Sequence, residues 1–192
     1  MSSSRSRTIL SIDVGIKNLA YVLATVPASQ ESPMSVIDVA CTDLTDSSPG
    51  STIDQYTTRV VDFLTVKFPQ PTPIDEVLVE RQIVKNSRAF AISHVIFAYF
   101  HFIEIPKVVM CHAGKKTALP RGSGKSRRKR DSASIGPEVV ASHFDDVSRA
   151  RIREVAGSSP KKDDVYDAVL QLTHYASTTS GRRDDDDDAT MT

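Results

Sequence analysis

Only two cysteines occur in the 192 residues, Cys41 and Cys111. They lie far apart and in no metal-ligand spacing, which excludes a disulfide framework and a cysteine-held zinc site. They read as reduced, buried thiols of an intracellular protein. The five histidines show no metal spacing either. No apolar run approaches bilayer length, so no membrane partner is expected. The "GSGKS" of Gly122 to Ser126 lacks Walker spacing and follows no strand directly, so it is not read as a phosphate loop, and no small-molecule cofactor is expected. Net charge is also missing: 24 basic residues balance 24 acidic ones.

That neutrality hides segregation. Eight basic residues and no acidic one lie between Lys115 and Arg130, whereas Asp184 to Asp188 are five consecutive aspartates. A neutral total therefore carries a strongly basic face. Apolar residues make up 40% of the chain, enough for one normal core with part of the chain outside it. The expected organisation is a short disordered arm over residues 1–7, one domain over 8–177 containing a basic loop at 113–133, and an acidic disordered tail over 178–192. The arm, "MSSSRSRT", is Ser/Arg-rich like a transit peptide but leaves almost nothing to cleave before the first strand.

Within the domain, Thr8–Asp13, Ala20–Val26 and Met34–Leu44 read as three strands joined by short links, an antiparallel meander. Ile53, Tyr56, Val60, Phe63 and Leu64 recur at helical spacing and predict a helix over about Thr52–Phe68. "EVLVE" (Glu76–Glu80) suits a buried strand. Helix is expected from Ser87 to about Glu104, a fifth strand at Lys107–His112, a helix from Ile135 to about Phe144, and a last helix opening near "PKKDD". The class that results is α/β: a mixed five-stranded sheet with helices on both faces.

Two of these strands end on acids, Asp13 and Glu80, and a third acidic group, Asp163, Asp164 and Asp167, opens the last helix. Asp163 and Asp167 are i and i+4, and Asp164 and Asp167 are i and i+3, so either pair shares a helix face. Acids are tolerated at a helix N-terminus. If the first and fourth strands run parallel, Asp13 and Glu80 leave the same sheet edge, and the helix acids can join them there. Each residue alone has a plainer use, as a turn, an ion pair with Arg81, or a cap. Together they form an oxygen-only cluster that needs cations, and Mg²⁺ or Mn²⁺ suits it better than zinc. A pair of such ions can clamp the attacking and leaving oxygens of a phosphodiester.

Three motifs, "SIDVGIKNLAY", "VLVERQ" and "KKDDVYDAVLQ", resemble those of the Holliday-junction resolvases of the RNase H-like superfamily, the fungal mitochondrial and poxvirus type more than bacterial RuvC. The likeness runs from Ile9 to Tyr175 in family order. It implies an RNase H-like fold and a homodimer on a four-way DNA junction, making paired, symmetric, Mg²⁺-dependent nicks that leave 5′-phosphates, with Mn²⁺ able to substitute and two ions per site. By the same resemblance Asp13, Glu80 and Asp167 match metal ligands, joined by Asp163 or Asp164, and Gly15 lets the backbone pass close to the metal or phosphate.

The same resemblance implies DNA-contacting candidates: Lys17 and Asn18 in "IKN", Arg81 and Gln82 in "ERQ", then Lys85 and Arg88, and the pair Lys161 and Lys162. The basic loop adds Lys115, Lys116, Arg121, Lys125, Arg127, Arg128, Lys129 and Arg130, which suit sequence-independent phosphate neutralisation. The apolar helix "VIFAYFHF" (Val95–Phe102) exceeds what one sheet contact requires, and its surplus reads as a dimer face, with His94 and His101 as core or dimer contacts. An RNase H-like nuclease on RNA–DNA hybrids or other branched DNA, and a non-catalytic junction-binding protein, are the alternatives. Mitochondrial, nuclear and viral-factory cytoplasmic settings all fit the sequence.

Overall fold

The computed structural model describes residues 5–45, 51–71, 73–112 and 132–179. Five strands, β1 (Arg7–Asp13), β2 (Leu19–Val26), β3 (Ser35–Thr42), β4 (Glu76–Arg81) and β5 (Lys107–His112), form one sheet in the order β3-β2-β1-β4-β5. β1–β2 and β2–β3 pair antiparallel, while β1–β4 and β4–β5 pair parallel. The meander and the mixed sheet are those the sequence predicts, and the parallel β1–β4 pairing meets the condition for Asp13 and Glu80 to leave one edge. β1 opens one residue earlier than expected, at Arg7, whose guanidinium bonds the Glu76 carboxylate at 2.6 Å. β3 is shorter than predicted and carries a register shift opposite Leu23 and Ala24.

The strands alternate between two cores. Leu10 and Ile12 of β1 and Val77 and Val79 of β4 face one cluster, with helices α1 (Ile53–Lys67) and α2 (Ser87–Phe102). Ile9 of β1 and Leu78 of β4 face the other, with α3 (Ser132–His143), α4 (Asp146–Ser158) and α5 (Lys162–Thr179). The start of α1 is set by a capping box: the Thr52 hydroxyl accepts from the Gln55 N–H, and the Gln55 side chain accepts from the Thr52 N–H at 2.9 Å. It buries Tyr56, Val60 and Leu64, one per helical turn.

α4 is an element the periodicity does not announce. Its apolar stripe is narrow, with Ile152 and Ala156 the buried apolar positions. Its cap was the available signal: the Asp145 carboxylate accepts from the Ser148 N–H at 2.8 Å. α4 covers the edge strand β3, with the Ser148 hydroxyl accepting from the Val36 N–H at 2.7 Å and Arg151 bonding the Ile37 carbonyl. Asp38 of β3 ties both layers together. It accepts from the Tyr21 hydroxyl at 2.7 Å, from Lys67 of α1 at 2.6 Å and from Arg151 of α4 at 2.8 Å.

α2 ends at Phe102, two residues short of expectation, where Glu104 takes a positive φ of 58°. It is apolar nearly all round but buries only one side: Ala89, Ile92, Ser93, Ile96 and Phe100. On the other side the Phe90 and His94 rings meet at a tilt and the Phe97 and His101 rings edge to face, with centroids 4.3 and 4.4 Å apart, and Phe102 is 85% exposed. No described helix is long and apolar enough to cross a membrane.

Candidate metal centre

The site lies where the parallel strands end. Ile12 of β1 pairs with Val79 of β4, and one further step sets Asp13 beside Glu80. Asp13 is also opposite Ala20, Ala20 opposite Cys41, and Glu80 opposite Cys111. One cross-sheet row, Cys41–Ala20–Asp13–Glu80–Cys111, therefore places both acids centrally and a cysteine at each end. Side chains of such a row share a face, here the face under α5. Neither cysteine is in a disulfide, and both are half-buried rather than fully buried. Burial pushes the Cys41 thiol up, aided by the Asp164, Asp13 and Asp43 carboxylates and opposed by a hydrogen bond with Ser159.

α5 crosses this face and is bonded to it along its length. One turn beyond Asp167, the buried Gln171 amide donates to the Ser11 hydroxyl at 3.1 Å and to the Leu78 carbonyl at 3.2 Å. One turn further, the Tyr175 hydroxyl donates to Glu76 at 2.5 Å, and burial followed by that bond raises the phenol above its ordinary range. Fixed in this register, α5 presents its first turn to the end of β1. Asp13, Asp164 and Asp167 each offer a carboxylate oxygen within 4.8 Å of the others. Asp13 and Asp164 are each 6% exposed.

Three ionised carboxylates at that spacing repel by roughly 3 kcal/mol or more per pair at an effective dielectric of about 20. Positive charge must be near. Lys161 supplies some of it, its ammonium 2.8 Å from Asp164. That bond, followed by the charges of Asp164, Asp13 and Asp163, raises the Lys161 pKa. The donor set of the triplet is oxygen alone, with no imidazole or thiol, and fits a hard divalent cation such as Mg²⁺.

The other predicted acids stand near but outside the triplet. Asp163, one residue earlier on α5, is half-buried. Glu80 is 8% exposed and shares Asp13's row, but its carboxylate accepts from the Gln82 amide at 2.5 Å and is not one of the three that meet. The expectation that four carboxylates converge is met by three. At Gly15 a Cβ would come within 2.5 Å of the Asn18 carbonyl oxygen, so the tight β1–β2 turn itself requires glycine.

The basic candidates that the structure describes gather at the same end. Lys17 is exposed in the β1–β2 turn and helps hold the Asp43 carboxyl below its usual range, after two bonds from Thr45. Arg81 ends β4, and Lys85 lies in the turn closed by the Asn86 N–H on the Ile83 carbonyl at 2.9 Å. Arg88 opens α2 with its guanidinium 5.9 Å from the Tyr56 ring centre. Lys162 is the first residue of α5. Lys115, Lys116, Arg121, Lys125, Arg127, Arg128, Lys129 and Arg130 lie outside the described residues, as do Asp184 to Asp188. Gln171 and Tyr175 were missed by sequence reasoning, although they continue the Asp164–Asp167 face at helical spacing.

A family model described as Poxvirus A22 protein matches residues 7–176. A curated relative, Uncharacterized protein 97L of Invertebrate iridescent virus 3, is 31% identical over 104 residues, covering 54% of this chain and 49% of the relative. The match thus spans about half the length of that relative. The fowlpox virus resolvase, in a crystal structure with substrate Holliday junction DNA, superposes with a TM-score of 0.59 at 21% identity, over 89% of this chain and 97% of that one. The yeast mitochondrial Holliday junction resolvase Ydc2 gives 0.61 at 17% identity, over 91% and 80%. RuvC of Thermus thermophilus gives 0.56 at 16%, over 90% and 97%. At these identities the likeness is one of fold, the RNase H-like fold.

Proposed function

The chain belongs to the Poxvirus A22 protein family, and from that premise we propose that it is a Mg²⁺-dependent, structure-selective endodeoxyribonuclease that resolves four-way DNA junctions as a homodimer. The observation that carries the reading is the meeting of Asp13, Asp164 and Asp167 within 4.8 Å at one strand edge. It is supported by the fold shared with three resolvases, one of them in complex with Holliday junction DNA.

Asp13, Asp164 and Asp167 hold the cations, two per site, with Glu80 completing the set from the next strand and Asp163 at its margin. Mn²⁺ can replace Mg²⁺. When bound, the ions neutralise the attacked phosphodiester and make water acidic enough to attack it near neutral pH. The chain's own part is placement. Gln171 and Tyr175 lock α5 against β1 and β4, so the helix-borne and strand-borne acids keep one geometry. Gln82 orients Glu80. Lys17, Asn18, Arg81, Lys85, Arg88 and Lys162 border the same edge and take the phosphates of the arms. The basic run of residues 115–130 begins three residues after β5, which ends beside Arg81, and adds counterion-release affinity. The outward Phe90/His94 and Phe97/His101 stripe of α2 pairs the two copies that symmetric nicking requires.

The test offers the purified chain a mobile four-way junction, an RNA–DNA hybrid and a plain duplex, each with Mg²⁺. Symmetric cutting of the junction is expected. Preferential hybrid cleavage overturns the substrate, and junction binding without cutting overturns the enzyme. Asp13→Asn, Asp164→Asn and Asp167→Asn should each bind the junction and leave it intact.

A further inference from the structure

Lys161 stands apart from the other basic residues at this edge. It immediately precedes α5, and its carbonyl accepts the Asp164 N–H at 3.4 Å, so it sits on the helix's first turn. Its side chain folds back over that turn to bond Asp164 Oδ1 at 2.8 Å. The pair is unequal: the lysine side chain is 60% exposed, while the aspartate side chain is 9% exposed. A solvent-facing arm thus delivers its charge to a carboxylate that is almost wholly buried. Lys162, its neighbour, points to solvent as the first helical residue and has no such bond among the described contacts.

We infer that the Lys161 ammonium is the resident counter-ion of the carboxylate triplet, occupying the cation's side of Asp164 until a divalent ion displaces it. The inference rests on the metal-centre reading above and adds a competition to it. A Mg²⁺ or Mn²⁺ ion binds a carboxylate oxygen at about 2.1 Å, closer than an ammonium. With both cations on the same buried carboxylate, their charges oppose each other at short range. The singly charged, flexible arm is the one that can leave. Metal affinity is therefore set partly by the cost of expelling Lys161, and the metal-free fold is held partly by keeping it.

The experiment is Mn²⁺ binding to the full chain without DNA, followed by isothermal titration calorimetry, with thermal melting of the same samples with and without Mn²⁺. In Lys161→Gln, Mn²⁺ should bind about tenfold tighter, the equivalent of ~1.4 kcal/mol. The metal-free melting temperature should fall, and the Mn²⁺-induced rise should grow. Lys162→Gln removes the same charge one residue away and should change the affinity much less; an equal tightening in both variants reduces the effect to general electrostatics and overturns the assignment. Unchanged or weaker Mn²⁺ binding in Lys161→Gln also overturns it, as does a wild-type chain that binds no Mn²⁺. Should Lys161→Gln fail to fold, Lys161→Met is titrated in its place and read by the same outcomes. A wild-type chain that cuts no junction refutes the nuclease reading yet leaves this inference standing, because its readout involves neither DNA nor turnover.

Discussion

Two glycines in helices make opposite predictions for one substitution. Gly157 lies near the end of α4, and a Cβ added there meets nothing within 4 Å. Replacing it with alanine should gain the usual helical preference of about 0.5–1 kcal/mol. Gly136 lies in α3 against α5, where the added carbon would come within 2.4 Å of Cδ1 and Cγ of Tyr166 and 2.6 Å of its Cβ. Ordinary contacts begin near 3.4 Å, so the ring must retreat by about an ångström, and Tyr166 is only 7% exposed. Overpacking of this kind costs about 1–3 kcal/mol, and the helical gain offsets part of it. A chain of this size moves its melting temperature by about 2–4 °C per kcal/mol. Gly157→Ala should therefore melt about 1–4 °C higher and Gly136→Ala about 1–8 °C lower, by calorimetry or circular dichroism. Tyr166→Ala removes the two nearest atoms but leaves the Cβ, so in a double-mutant cycle it should recover part of the Gly136→Ala loss, with a coupling of about 1 kcal/mol. Equal stabilisation by both alanines would refute the close packing of α3 on α5.

Asp38 predicts a pH dependence. Burial alone would raise its carboxyl, but the hydrogen bonds from Lys67 and Tyr21, with the Lys67 charge, outweigh it and hold the group below the ordinary range. A depressed carboxyl contributes stability that is present above the unfolded value of about 3.9 and is lost as pH falls through the folded value. Asp38→Asn should thus cost about 1 kcal/mol at neutral pH, discounted for partial exposure, and flatten the acid limb of stability measured by denaturant titration. At the outer face of α2, Phe97→Glu should give a folded monomer by analytical ultracentrifugation, which cuts junctions without pairing its nicks. A dimer that survives would place the interface elsewhere.

The periodic parts of the molecule were legible in the sequence. β-Branched runs announced the strands, the Thr52-to-Phe68 spacing announced α1, and acids closing β1 and β4 announced the edge where the site forms. α4 was not legible, because a helix that buries little beyond Ile152 and Ala156 carries almost no periodic signal and is held instead by its Asp145 cap and by bonds to β3. The double aspartate was ambiguous for a related reason. Asp163 and Asp164 differ by one helical step, and only the rotation of α5, set by Gln171 and Tyr175 against the sheet, brings Asp164 and not Asp163 to Asp13. Glu80's turn toward Gln82 is a local bond that strand patterning does not encode.

The row of residues crossing the sheet at the site has a practical corollary. Cys41 and Cys111 stand at its two ends, four strand spacings of about 4.8 Å apart, or some 19 Å. A bridge needs α-carbons within about 7 Å. Air oxidation can therefore weld one molecule to another but cannot staple a molecule to itself. Any covalent species on a non-reducing gel counts joined chains, and its appearance during storage would report exposure of thiols that border the carboxylates.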